Sequence, residues 1–121
     1  MVQVSSPFID RLLAAAGAVL AAGAVALAAY AAHAASGPEQ GRLLHAALFG
    51  FGHGIALAAL APQASRRLGR LALMLMLAGV LLFSGSLVAA VFLGTSTGLA
   101  PSGGSLMILA WLLYAADALR R

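Results

Sequence analysis

Residues 48–62, LFGFGHGIALAALAP, place one imidazole, His53, among the glycines Gly50, Gly52 and Gly54 and otherwise apolar side chains. An ionisable group in such a setting could relay protons, hold a small ligand, ligate a metal or haem, or serve as a hydrogen-bonding post between helices. Four more polar residues gather where two apolar runs meet: His33 closes the first, His45 opens the second, and Glu39 and Arg42 lie between them. A surface metal site of His33, Glu39 and His45 would have suitable ligand types, but no ligand spacing compels one. His45 and His53 are eight residues apart, so on one helix they differ by about 12 Å in height and about 80° in bearing and cannot share an ion. His33 and His53 differ in depth by roughly 10 Å on the same geometry, too far for two axial ligands of one haem. No cofactor and no metal is therefore expected.

Other chemistries find little support. The chain has no cysteine and three acids in all, which leaves no thiol nucleophile, disulfide framework or paired-carboxylate chemistry. Nucleophile-elbow, P-loop, HExxH and dinucleotide signatures are absent, and the glycine-containing stretches LGTSTG and SGGS follow no strand. Asp117 stands near the end of the last apolar run, with Arg120 and Arg121 three and four residues on. A local ion pair on one helix face is the expected reading, and an acid on a proton path the alternative. Trp111 is expected to pack against neighbours or lipid.

The elements that must position these residues follow from composition. Hydrophobic residues make up 63% of the chain and charged ones 8%, against about 25% charged in ordinary soluble domains. Lipid must be the solvent. Charges and turn residues divide the chain into four apolar runs, about 12–35, 43–61, 71–93 and 101–119, each near the length of about 20 residues that a helix needs to cross a bilayer. Ala and Leu dominate without alternation, which excludes strands. The expectation is a single domain, 1–121, an all-α membrane protein folded as a four-transmembrane-helix bundle. The first run is longer than the apolar core of a signal peptide and is read as an uncleaved span, with Ser6 capping and Pro7 opening its helix. Arg11, Arg66, Arg67, Arg70, Arg120 and Arg121 fall on one side and Arg42 alone on the other. The positive-inside rule then makes both termini cytoplasmic. The basic balance marks topology, and nucleic-acid binding is not expected because no basic patch is interleaved with aromatics.

Small residues are the means of helix contact where lipid removes the hydrophobic drive. Gly50 and Gly54, in GxxxG spacing, together with Gly85, Gly103 and Gly104, are the expected contact glycines, within the chain or between copies. His53 lies ten residues below Leu43, about 15 Å down and so at the bilayer midplane. Ser84 and Ser86 of LLFSGSL fall at nearly the same depth. The expected polar core is therefore His53, neutral and facing inward, with Ser84 or Ser86 as its partner.

Four stretches taken together, AAYAAHAAS (28–36), FGHGIAL (51–57), LLFSGSL (81–87) and LAPSGGSLMILAW (99–111), resemble the domain of unknown function 423 family. These are small bacterial inner-membrane proteins with eukaryotic relatives known as transmembrane protein 256. By that resemblance His33 and His53 match the histidines of the family's first two helices, Ser84, Gly85 and Ser86 its serine–glycine–serine element, and Pro101, Gly103, Gly104 and Trp111 its proline–diglycine–tryptophan element. Where relatives often carry polar or aromatic residues before the second-helix histidine, this chain has Gly50 and Gly52. Where many bacterial relatives place threonine before the proline it has Ala100, and so lacks that N-cap. The resemblance implies four helices and a multi-pass inner-membrane address, and brings no established activity.

Three functional readings remain. A non-enzymatic bundle, an accessory or assembly subunit acting on other membrane subunits or on copies of itself, fits the small-residue faces and minimal loops. An oligomeric transporter or proton conductor would use His53. An intramembrane enzyme lacks an activated nucleophile.

Overall fold

The structure is a computed structural model that describes residues 7–120. It contains four α-helices, α1 (Pro7–Ala34), α2 (Gly37–Leu60), α3 (Arg67–Phe92) and α4 (Ala100–Leu119), with a 3-10 turn at Ala61–Gln63 between α2 and α3. No strand occurs among the described residues. All four helices are long and apolar enough to cross a membrane, and the large apolar side chains on their outer faces, Val19, Leu48, Ile108 and Leu112 among them, are exposed. An exposed apolar surface of this kind is what a lipid solvent permits.

Helix limits and apolar runs differ in an instructive way. α2 starts at Gly37, well before the apolar run that opens at Leu43, because Pro38 preorganises the first turn and Glu39 suits its positive end. Polar residues join a helix as readily as apolar ones, so the apolar run marks contact with lipid and not helix length. α1 begins at Pro7; the proposed cap, Ser6, lies outside the described residues. Gly37 (φ +61°) and Gly94 (φ +69°) adopt left-handed backbone at the two tight turns, a conformation that other residues rarely tolerate.

α1 packs along α2 and α4 along α3, and the two hairpins join mainly through α2 and α3. Each hairpin crosses at a pair of glycines. A Cβ placed on Gly17 would lie 2.5 Å from the Gly54 carbonyl oxygen, and one on Gly54 would lie 2.6 Å from the Gly17 carbonyl oxygen. In the second hairpin a Cβ on Gly79 would lie 2.9 Å from the Gly103 carbonyl oxygen, and one on Gly103 2.6 Å from that of Gly79. These are backbone-to-backbone contacts that any side chain would separate, and they give the helices the van der Waals attraction that lipid does not supply.

Two of the expected contact glycines need correction. Gly85 is exposed and a Cβ there would meet nothing within 4 Å. At Gly104 the nearest atom, Phe83 Cδ1, would be 4.0 Å away. Adjacent residues on a helix point about 100° apart, so Gly103 faces α3 and its neighbour does not. Gly50 is buried, yet a Cβ there would sit at ordinary contact distance, 3.6 Å from Ala24 Cβ; the close member of the GxxxG pair is Gly54.

The crossing at Gly103 also fixes the height of α4. Gly103 meets the Gly79–Phe83 stretch of α3, and α3 continues to Phe92, about 14 Å farther at 1.5 Å per residue. α4 extends only from Gly103 back to Ala100, about 4.5 Å. Residues 93–99 therefore descend about 9 Å toward the bilayer centre before α4 begins. No side chain caps that start. Buried side chains Leu13, Leu57, Ala61, Leu73, Met76 and Ala110 form the apolar core, in the half of the bundle nearer the arginine-rich ends.

Candidate functional site

His53 is buried, 9% exposed, but neither serine is its partner. Its Nδ1 is 2.8 Å from the carbonyl oxygen of Phe49, one turn back on α2, and its Nε2 is 3.1 Å from Trp111 Nε1 on α4. A carbonyl only accepts and an indole N–H only donates. The pair of partners therefore selects a neutral ring with its proton on Nδ1, donating to Phe49 and accepting from Trp111. The imidazole is tied at both nitrogens.

The serines diverge for a geometric reason. Two residues apart on one helix they point about 200° from each other, so they cannot both face His53. Ser84 Oγ donates to the Ala46 carbonyl oxygen at 2.8 Å, and Gly50 lies beside it; both α2 residues are displaced from His53 toward the opposite end of the bundle from the arginines. Ser86 is buried, with no hydrogen-bond partner for its Oγ among the described residues; seven residues on from Gly79, it shares the α3 face turned to α4. Phe49 and Phe83 pair edge-to-face between α2 and α3, centroids 4.8 Å apart. His53 turns instead to α4.

Aromatic rings continue the line. The His53 and Trp111 centroids are 5.9 Å apart, and Trp111 meets Tyr114 edge-on at 6.1 Å. Phe83, Phe49, His53, Trp111 and Tyr114 thus form a chain of rings across three helices. The backbones of α2 and α4 make no extensive contact, and His53–Trp111 is a direct hydrogen bond between them. Depth was the overlooked signal for Trp111. It lies ten residues beyond Pro101, as His53 lies ten beyond Leu43, so the two stand equally far into their apolar runs, about 15 Å from the start of each.

His33, Glu39, Arg42 and His45 are all exposed around the α1–α2 turn. His45 Nδ1 is 2.8 Å from the Gly41 carbonyl oxygen of its own helix, and no ion pair joins Glu39 to Arg42 among the described residues. The turn is held instead by Gln40, whose Nε2 donates to the Ala31 carbonyl oxygen at 3.0 Å. No three His, Asp or Glu side chains among the described residues come close enough to hold a metal ion.

Two polar arrangements at the arginine-rich end escaped the sequence reading. Arg70 of α3 grips Asp10 of α1, with Nε donating to Oδ1 at 2.7 Å and Nη2 to Oδ2 at 3.1 Å. Both side chains are about one-tenth exposed, at 10% and 11%. Both residues begin spans that run in the same direction, which is the pattern that could have paired them. Asp117 is buried, 3% exposed; of its two expected ion-pair partners, Arg120 is exposed and Arg121 lies outside the described residues. Its carboxylate rests on the first turn of α3, where a Cβ on Gly69 would lie 2.6 Å from Oδ2. A negative charge there suits the positive end of that helix.

Removal of His53 tests the connectivity directly. His53→Leu should destabilise the bundle by about 1–2 kcal/mol, since it deletes an interhelical bond and leaves the Trp111 N–H unpaired. Nearly all of that loss should vanish in a Trp111→Phe background, whereas Ser84→Ala should add independently to within about 0.5 kcal/mol. Coupling to Ser84 as strong as to Trp111, measured by denaturant unfolding in micelles, would contradict the geometry.

No curated protein and no solved structure matches the chain. A family model does match, over residues 27–104, that of the protein of unknown function DUF423. The match covers more than half of the chain and includes the α1–α2 turn, His53, both serines and the glycine crossing at Gly103. On that match the chain belongs to the DUF423 family.

Proposed function

We propose that this protein is a non-catalytic membrane subunit that works through helix–helix contacts, assembling with other membrane proteins or with copies of itself. The observation that carries the reading is the state of His53. The one histidine buried in the bundle has both ring nitrogens taken up by Phe49 and Trp111, so it serves to hold α2 to α4. A proton conductor would need one of those nitrogens free to exchange. The outer faces meanwhile offer apolar furrows, such as one of about 440 Å³ between α1 and α2 lined by Ala24, Val25, Ala28, Leu44, Ala47, Leu48 and Phe51.

Purification in mild detergent followed by native mass spectrometry tests the proposal. A stable complex with a second membrane protein, or a defined homo-oligomer without pH-dependent flux in vesicles, is the expected result. A monomer that conducts protons in vesicles, with loss of flux in His53→Gln, would overturn it.

The address that goes with this reading is a bacterial inner membrane, with both termini and the α2–α3 corner in the cytoplasm. Six of the seven arginines then lie inside, as the positive-inside rule favours. Reporter fusions at Gln40 and at Arg121 should report opposite sides. Equal signals from the two would require a different number of crossings.

A further inference from the structure

The arginine-rich end of the bundle contains a recess of about 410 Å³ bounded by Pro7, Asp10, Arg11 and Ala14 of α1 and by Pro62 and Ala64 of the α2–α3 corner. We propose that this recess binds the phosphate of an anionic phospholipid, with Arg11 as its charged ligand.

Walls and charge agree on this occupant. Two prolines and two alanines line an open recess of small, stiff residues, and its volume falls within the range of ordinary ligand sites. The carboxylate in the wall does not repel an anion, because both oxygens of Asp10 are already held by Arg70. Arg11 is exposed and has no acid partner among the described residues. Arg70 itself, nine-tenths buried, uses Nε and Nη2 on Asp10 and on the Ala64 carbonyl oxygen. Its Nη1, with two N–H groups, has no acceptor among the described residues. Arg66 and Arg67 follow Ala64 at the same corner, the first half-buried and the second exposed. The local balance around the recess is thus strongly positive.

Level selects the source of the phosphate. The recess spans the first two turns of α1 and the corner where α2 ends, at the margin of the apolar runs, which is where lipid phosphates lie and where basic pockets between membrane helices recruit them. Arg11 would meet the phosphate oxygens, and Pro7, Ala14 and Pro62 would face the glycerol and the first methylenes of the chains.

Native mass spectrometry of the full chain, titrated with phosphatidylglycerol and with phosphatidylcholine of matched chains, is the test. Wild type should retain phosphatidylglycerol in preference, and Arg11→Gln should weaken that retention about tenfold or more, the effect of losing a hydrogen bond to a charged group. Ala14→Leu, which fills the recess without altering charge, should weaken it as well. Arg120→Gln removes a charge at the same end but outside the recess, and should leave retention unchanged. Equal loss in Arg11→Gln and Arg120→Gln, or full retention in Ala14→Leu, would reduce the effect to diffuse surface charge and overturn the site. Displacement of the bound lipid by millimolar inorganic phosphate would overturn the lipid as its ligand. Thermal unfolding of each variant separates loss of the site from loss of the fold.

Discussion

Replacing Arg70 with Met while Asp10 remains should cost the bundle about 3 kcal/mol or more, because it strands a buried carboxylate without its counter-charge. The pair is bidentate and both side chains are nine-tenths buried, unlike exposed ion pairs, which contribute at most about 1 kcal/mol. Asp10→Asn should be nearly as damaging, since it leaves the guanidinium buried and uncompensated. The double replacement should lose much less than the sum of the two, because no unpaired charge then remains. Unfolding in mixed micelles, followed by far-ultraviolet dichroism, measures all three. Losses under about 1 kcal/mol for each single replacement would mean that water screens the pair and that α1 and α3 are joined by other contacts.

Gly103→Leu should be at least as disruptive. A Cβ at Gly103 would already crowd the backbone nitrogen of Phe83 and lie 2.6 Å from the Gly79 carbonyl oxygen, so the α3–α4 crossing must open before any side chain fits. Overpacking of a close contact costs about 1–3 kcal/mol, and here the separation also removes the dispersion contacts that hold helices together in lipid. The expected outcome is a loss of about 3 kcal/mol or a second hairpin that does not assemble. Gly104→Leu should stay within about 1 kcal/mol, since the nearest atom, 4.0 Å from a Cβ there, belongs to the flexible ring of Phe83. Gly54→Leu, at the crossing of the first hairpin, should behave like Gly103→Leu. A larger loss at Gly104 than at Gly103 would show that α4 is rotated relative to the described packing.

The sequence by itself determined the class of this protein and the number of its crossings. Apolar runs of membrane-spanning length, separated by arginines and by Gly, Pro and Ser turns, leave a chain in lipid no option but helices, since every backbone group must be satisfied within its own segment. It also determined that His53 would sit inside an apolar run and that glycines would carry the helix contacts. Those are properties of single segments, and hydropathy and composition report them. What only the tertiary structure decided is which side chain meets which. Depth along a helix can be counted from sequence, and counting places Ser84, Ser86 and Trp111 all near His53. Azimuth cannot be counted until the crossing points are known. Gly17 against Gly54 and Gly79 against Gly103 set the rotation of all four helices, and that rotation turns Ser84 to Ala46 and His53 to Trp111. It brings Asp10 to Arg70, sixty residues away in the chain. It also buries Asp117 against Gly69. Hydropathy is a scalar along the chain, whereas a hydrogen bond between helices depends on two rotations and two heights, and only the packed backbone supplies all four.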